Sequence, residues 1–172
     1  MSFAPTITTE RLTLRHHQME DFAPMAAIFA TDWATYMGGP IDANEMWYWL
    51  GAEMASWQLI GFGSWAVVKT DTNELIGQVG INHPPRYSES ELGWCIFPAY
   101  ERKGFAFEAA EAARNWGFEH PDLQTFVSYI DSKNSRSVAL AERLGATLDP
   151  QVKRPVEKTA SEPLVYRHRR HQ

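Results

Sequence analysis

The sequence predicts a mixed α/β fold with helices on the faces of a sheet, and three observations support it. Short runs of strand character stand at Trp65–Lys69, Leu75–Asn82, Leu92–Phe97 and Thr125–Ile130, rich in β-branched and aromatic residues. Longer runs place apolar residues at helical spacing, at Met19–Ala30, from Asp42 past Trp57, and at Phe105–Phe118. The order is strands first, then strand–helix–strand crossovers from residue 91 onward. At 172 residues the chain is long enough for one domain, residues 1–172, with a core that serves such a sheet.

The elements follow in order. Arg11–His16 alternates, with Leu12 and Leu14 on one face, and reads as the first strand. Met19, Phe22, Met25 or Ala26 and Phe29 keep helical spacing in the next run. Gly38-Gly39-Pro40 is a firm break. Asp42 is placed as an N-cap, with Glu45 completing a capping box. The helix it starts carries Met46, Trp47, Trp49, Leu50, Met54 and Trp57. Trp65–Lys69 and Leu75–Asn82 flank the turn Thr70-Asp71-Thr72-Asn73 and read as a hairpin. His83–Tyr87 is a loop. Asn134 or Ser135 opens a second crossover helix, which Gly145 is placed to end. Thr147–Val152 and Pro163–Arg169 read as closing strands, with a polar loop or hairpin arm at Lys153–Glu162 between them.

The stretch from 91 to 119, ELGWCIFPAYERKGFAFEAAEAARNWGFE, carries the chemistry. Leu92–Phe97 is apolar on both faces, as a buried central strand is. Pro98 ends it, having no N–H for a ladder. The helix from Phe105 follows a tight basic turn, Glu101-Arg102-Lys103-Gly104-Phe105-Ala106. The first N–H groups of a helix lack internal partners, and the dipole leaves partial positive charge there. Gly104 and Ala106 let a ligand approach that bare backbone, and Arg102 and Lys103 add charge beside it. The turn therefore suits an anion such as a pyrophosphate. A plain strand–helix connection with two solvated basic residues explains the same residues equally well.

The surroundings of the turn resemble the GNAT superfamily of acetyl-CoA-dependent N-acetyltransferases. The family's turn reads Gln/Arg-x-x-Gly-x-Gly/Ala, and residues 101–106 match it except that Glu101 holds the first position. Asn134-Ser135-Arg136-Ser137 through Leu144-Gly145-Ala146 is similar to the family's second motif helix. Together with Glu91-Leu92-Gly93-Trp94, Thr9–Arg15 and Val165-Tyr166-Arg167, the pattern is closest to the branch of ribosomal-protein alanine/serine N-terminal acetyltransferases. The resemblance implies a mixed, mostly antiparallel twisted sheet of about seven strands with helices on both faces. It also implies a central strand that splays from its neighbour to admit the pantetheine arm.

Carried over by position, the resemblance puts Cys95, Ile96 and Phe97 beside the pantetheine. Lys103, Gly104, Phe105 and Ala106 would hold the pyrophosphate, with Arg102 adding charge, and Asn134 would touch the cofactor. The tyrosine acid of other branches falls on Ala141, so Ser137 is the first candidate to meet the leaving thiolate. The amide of Ile96 or Phe97 is the candidate donor to the thioester carbonyl. Glu91, Glu89, His83 and Tyr129 are the candidate bases, Glu91 foremost because it matches a glutamate common in the branch. Cys95 is mid-strand among apolar neighbours, which favours a structural thiol over a nucleophile. The acceptor pocket is expected from residues 31–60, with Trp33, Tyr36, Met37, Trp47 and Trp57 as wall, and His83 near the acceptor. A buried stripe of an amphipathic helix accounts for several of those aromatics as well.

Composition narrows the function. Apolar residues are 44% and the net charge is −5, so nucleic acid has no electrostatic support as a partner. No apolar run approaches the ~20 residues of a membrane span, and MSFAPTITTE lacks the charged start and apolar core of a secretion signal. A single cysteine leaves no internal disulfide or cysteine-based metal cage, and suits a reducing, cytoplasmic setting. No metal is expected. The expected activity is direct acetyl transfer from acetyl-CoA to a primary amine, a small amine or a peptide N-terminus, with no covalent enzyme intermediate. A non-catalytic acyl-CoA sensor on the same fold, and a nucleotide-binding α/β protein using Gly104 for another phosphate, stay open at this point. A homodimer is common in the branch.

Overall fold

A computed structural model describes residues 3–153 and 163–170. Its centre is an eight-stranded sheet in the order β1-β2-β3-β4-β5-β6-β8-β7. The strands are β1 (Ile7–Thr8), β2 (Leu12–Arg15), β3 (Ser64–Lys69), β4 (Leu75–Asn82), β5 (Glu91–Ile96), β6 (Phe126–Asp131), β7 (Thr147–Leu148) and β8 (Pro163–His168). Every neighbouring pair is antiparallel except β5 and β6. The expected count of about seven is exceeded by β1, which is too short to show alternation in sequence. The strand expected at Thr147–Val152 shrinks to Thr147–Leu148, whose two residues are both exposed. Residues 154–162 of the expected loop lie outside the described residues.

The helices are α1 (Met19–Phe29), α2 (Ala43–Leu59), α3 (Phe105–Glu119) and α4 (Ser135–Arg143). Asp42 caps α2 by accepting from the Glu45 amide at 2.9 Å, and the Glu45 carboxylate accepts from the Asp42 amide at 2.9 Å. Leu92 and Ile96 of β5 turn toward α3 with Leu12, Leu14, Val67 and Ile81. Cys95 turns to the opposite face, among Met25, Phe29, Met46 and Leu50 of α1 and α2. This is the alternation of a strand buried on both faces. On the α3 side Ala141 of α4 packs against Ile130 and Tyr166. Trp57, Trp65 and Trp116 join α2, β3 and α3, with ring centres 4.6–5.4 Å apart at steep angles.

β5 and β6 part company almost at once. Their one ladder pair is Glu91 with Val127, where the Val127 amide donates to the Ser90 carbonyl at 2.9 Å. The next bond is made by a side chain: Ser128 Oγ donates to the Leu92 carbonyl at 2.6 Å. Past it the strands diverge. The Phe97 amide donates to the Ile76 carbonyl of β4 at 2.8 Å. Peptide groups in a strand alternate in direction, so those of Trp94 and Ile96 face away from β4, into the gap beside β6.

β3 and β4 lie unusually close at Gly80. A Cβ there would stand 2.0 Å from Ser64 Oγ and 2.6 Å from Ser64 Cα. Backbone cannot yield cheaply, so Gly80→Ala should destabilise the fold by about 1–3 kcal/mol. Thermal unfolding should show a midpoint lowered by roughly 2–10 °C; an unchanged midpoint would mean the strands separate here without cost.

Candidate functional site

A groove of about 410 Å³ runs past the start of α3. Gly104 precedes that helix with φ +82°, a left-handed conformation that favours glycine, and no side chain caps the helix. The Glu108 amide is satisfied by the Gly104 carbonyl at 3.1 Å. The amides of Phe105, Ala106 and Phe107 precede it in the first turn and have no intrahelical carbonyl to meet. Arg11 clamps the turn. Its side chain bonds Glu108 Oε2 at 2.7 Å and the Lys103 carbonyl at 3.0 Å, and lies over the Phe105 ring at 4.5 Å. Arg102, Arg136 and Arg143 line the groove, Arg143 with its guanidinium 4.0 Å over the Phe107 ring. The residues present fit an extended anion with phosphate groups.

A second cavity of about 570 Å³ opens along the gap, lined by Glu91–Cys95 of β5 and Ser128–Asp131 of β6. The two meet, because Tyr36, Met37, Trp94, Cys95, Asn134 and Ser137 wall both. Asn134 caps α4, its Oδ1 accepting from the Ser137 amide at 3.2 Å. The second cavity is carboxylate-rich: Glu53, Glu91 and Asp131 line it, with Arg86 as the lining cation among the described residues. Burial pushes the Glu91 carboxyl up to about 7, against the hydrogen bonds of Tyr87 and the Tyr129 backbone. Burial also raises Glu53, whose carboxylate accepts from Ser64 Oγ. Arg86 pulls both carboxyls the other way.

The expected site residues fall into three groups. Ile96, Arg102, Gly104, Phe105, Ala106, Asn134 and Ser137 line the groove, and Glu91, Cys95, Tyr36, Asn134 and Ser137 line the second cavity. Others are placed elsewhere. Phe97 is buried against α1 and its amide is committed to Ile76, which leaves Ile96 as the open donor. Lys103 turns its Nζ back to the Ala99 carbonyl at 2.9 Å. Trp33 lines the groove rather than the second cavity, and donates from Nε1 to Glu101 at 2.9 Å. Trp47 is 53% exposed on the outer face of α2, edge-on to Phe22. Trp57 is core, its Nε1 donating to the Ser64 carbonyl at 2.9 Å. His83 lies off both cavities, with Nδ1 3.3 Å from Ser90 Oγ. Glu89 is held by Arg167 through two 2.7 Å bonds, which lower its carboxyl and remove it as a base. Burial pushes the Cys95 thiol up to about 12, so it is no nucleophile at neutral pH.

Sequence reading did not find Glu53, Arg136 or Arg143. Glu53 sits in a helix whose apolar pattern gives no hint of which polar position turns inward. Arg136 ion-pairs with Glu101 across the groove, so the unusual Glu101 anchors a cation and does not itself face a phosphate as a donor.

A splayed strand pair, a bare helix start beside three arginines and a second, carboxyl-lined cavity meeting it at the gap suit a two-substrate transferase. Residues 11–147 match the family described as Acetyltransferase (GNAT) domain, and the chain belongs to that family. It is an N-acetyltransferase. An acetyltransferase from Agrobacterium tumefaciens str. C58 is 43% identical, with a TM-score of 0.88 over 98% of this chain and 95% of that one. RimL, a ribosomal L7/L12 alpha-N-protein acetyltransferase, is similar in fold at 16% identity, with a TM-score of 0.77 over 96% of this chain and 98% of that one. A spermidine N-acetyltransferase from Vibrio cholerae, solved with CoA and spermine, is similar in fold at 18% identity, TM-score 0.72, covering 92% and 94%. No helix among the described residues is long and apolar enough to cross a membrane.

Proposed function

We propose that the chain, acting as a single domain in the cytoplasm, transfers the acetyl group of acetyl-CoA directly to a primary amine. The observation that carries this is the meeting of two unlike cavities at the gap: arginines and bare amides line one, and the buried carboxyls of Glu53 and Glu91 line the other. An anionic coenzyme is drawn to the arginine-lined groove, and the amine meets a proton acceptor, Glu91, in the other cavity. Acetyl-CoA, held by the Phe105–Phe107 amides with Arg102, Arg136 and Arg143, supplies the thioester. The chain's own groups do the rest. The Ile96 amide, turned into the gap, donates to the acetyl carbonyl oxygen. A free alkylamine has a pKa of about 10, so its proton must be removed before attack. Glu91 takes it. The nitrogen–carbon bond forms, the carbon–sulfur bond breaks, and the Ser137 hydroxyl meets the departing thiolate. No hydrogen bond ties up Ser137 Oγ among the described residues, and Ala141 is fully buried where other branches keep their acid.

Titration calorimetry with acetyl-CoA should give binding heat, and thiol release should follow when amines or short peptides with N-terminal Ser or Ala are added. A folded sample that binds no acetyl-CoA removes the proposal. Ser137→Ala should lower kcat by about 10²-fold with coenzyme affinity within about twofold. Unchanged turnover would take Ser137 out of the chemistry.

A further inference from the structure

The second cavity holds more recognition chemistry than one reacting nitrogen needs. On its floor Asn82 of β4 lies opposite Glu91, Gln78 opposite Cys95, and Ser64 of β3 opposite Gly80. Residues directly opposite share a face, so these side chains point the same way. Glu53 comes down on them from α2 and accepts from Ser64 Oγ. Asn82 Nδ2 donates to Ser64 Oγ at 2.8 Å, which orients the amide and leaves its Oδ1 unpaired. Gln78 is 6% exposed, and its Oε1 is buried with no partner among the described residues. The two amide oxygens are acceptors, and so is Glu53 in its ionised form, which a bound cation favours. A ligand that displaces water from this end must bring several donors of its own.

The geometry points to an acceptor that is a short aliphatic diamine or amino-guanidine, its second cation seated on Glu53, Gln78 and Asn82. This rests on the acetyl-transfer reading above and names the substrate class of the same site. The reacting nitrogen belongs at Glu91, beside the gap. Ser64 stands two strands away from Glu91 and one pair further along, roughly 10 Å off, which a chain of a few methylenes spans. Tyr36 and Trp49 also line the cavity, and aromatic faces accept both methylenes and a cation. Arg86 lines the same cavity and, like a bound cation, favours the ionised form of the Glu53 and Glu91 carboxyls.

The test measures thiol release at saturating acetyl-CoA with 1,4-diaminobutane, 4-guanidinobutylamine, butylamine and a Ser-Ala dipeptide amide. The diamine or the guanidine should exceed butylamine in kcat/KM by about 10–100-fold, the range of a hydrogen-bonded charge. In Glu53→Gln that preference should shrink to within about threefold. Coenzyme affinity serves as the folding control, since Glu53 does not line the coenzyme groove. If Glu53→Gln loses that affinity, Gln78→Leu reads the same preference from the other side of the floor. Butylamine or the dipeptide turning over as well as both dications, or a preference that survives both substitutions, overturns the inference alone. Coenzyme binding with no thiol release from any amine overturns the acetyl-transfer reading instead.

Discussion

Glu91→Gln should slow kcat by about 10²–10⁴-fold, the usual contribution of a positioned base, with acetyl-CoA affinity within about twofold. The two effects separate because Glu91 lines the acceptor cavity and not the coenzyme groove. The pH profile gives a second signature. Burial holds the Glu91 carboxyl up to about 7, and only its ionised form can accept a proton. Activity should therefore be full above that value and fall tenfold per pH unit below it. In kcat/KM, which reports the free enzyme, the limb should sit near pH 7. In kcat it should move lower, because a bound ammonium favours the carboxylate. Glu53 raises Glu91 further, so the limb belongs to the pair and not to one residue. In Glu91→Gln the limb should vanish along with the turnover. A variant that keeps both would hand the role to another group of the cavity, and Tyr129, which also lines it, would be first in line.

Much of this was legible in the chain because it is local. A helix start announces itself: Gly104 before an Ala- and Glu-rich apolar pattern marks α3, and Asp42 with Glu45 marks α2, each within a residue or two. Leu92–Phe97 reads as a central strand because both of its faces are apolar, and the strand runs Glu91–Ile96. What escaped depends on groups brought together from afar. Glu53 and Glu91 share a cavity only because α2 lies over β3, β4 and β5, and no spacing in sequence encodes that. The division among aromatics is also tertiary. Trp33, Trp47 and Trp57 all read as wall of one acceptor pocket, yet one lines the groove, one faces solvent and one is core. Phe97 shows a finer limit. Whether an amide points into the gap or into the ladder is decided by parity, and the parity is set by the register of β4 on β5.

Gly104→Glu should weaken acetyl-CoA binding by at least about 10²-fold, since it sets a charge of the wrong sign against the phosphates. Two effects contribute, and they can be told apart. The backbone at 104 has φ +82°, so any side chain strains it by about 1–2 kcal/mol. A Cβ there would also stand 3.3 Å from Arg11 Nη2, close enough to disturb the clamp that Arg11 makes with Glu108 and the Lys103 carbonyl. Gly104→Ala carries the strain and the crowding without the charge, and should bind about tenfold more weakly than the parent. The remaining gap between the Glu and Ala variants is electrostatic. It should narrow as salt shortens the Debye length from about 10 Å at 0.1 M to about 3 Å at 1 M. A gap indifferent to salt would mean that the glutamate acts by bulk alone. Unaltered affinity in Gly104→Glu would mean that the phosphates lie elsewhere, and the arginines along the groove would then need another explanation. Coenzyme held at the bare turn of α3 makes both variants weak binders while their thermal midpoints stay far closer together than their affinities.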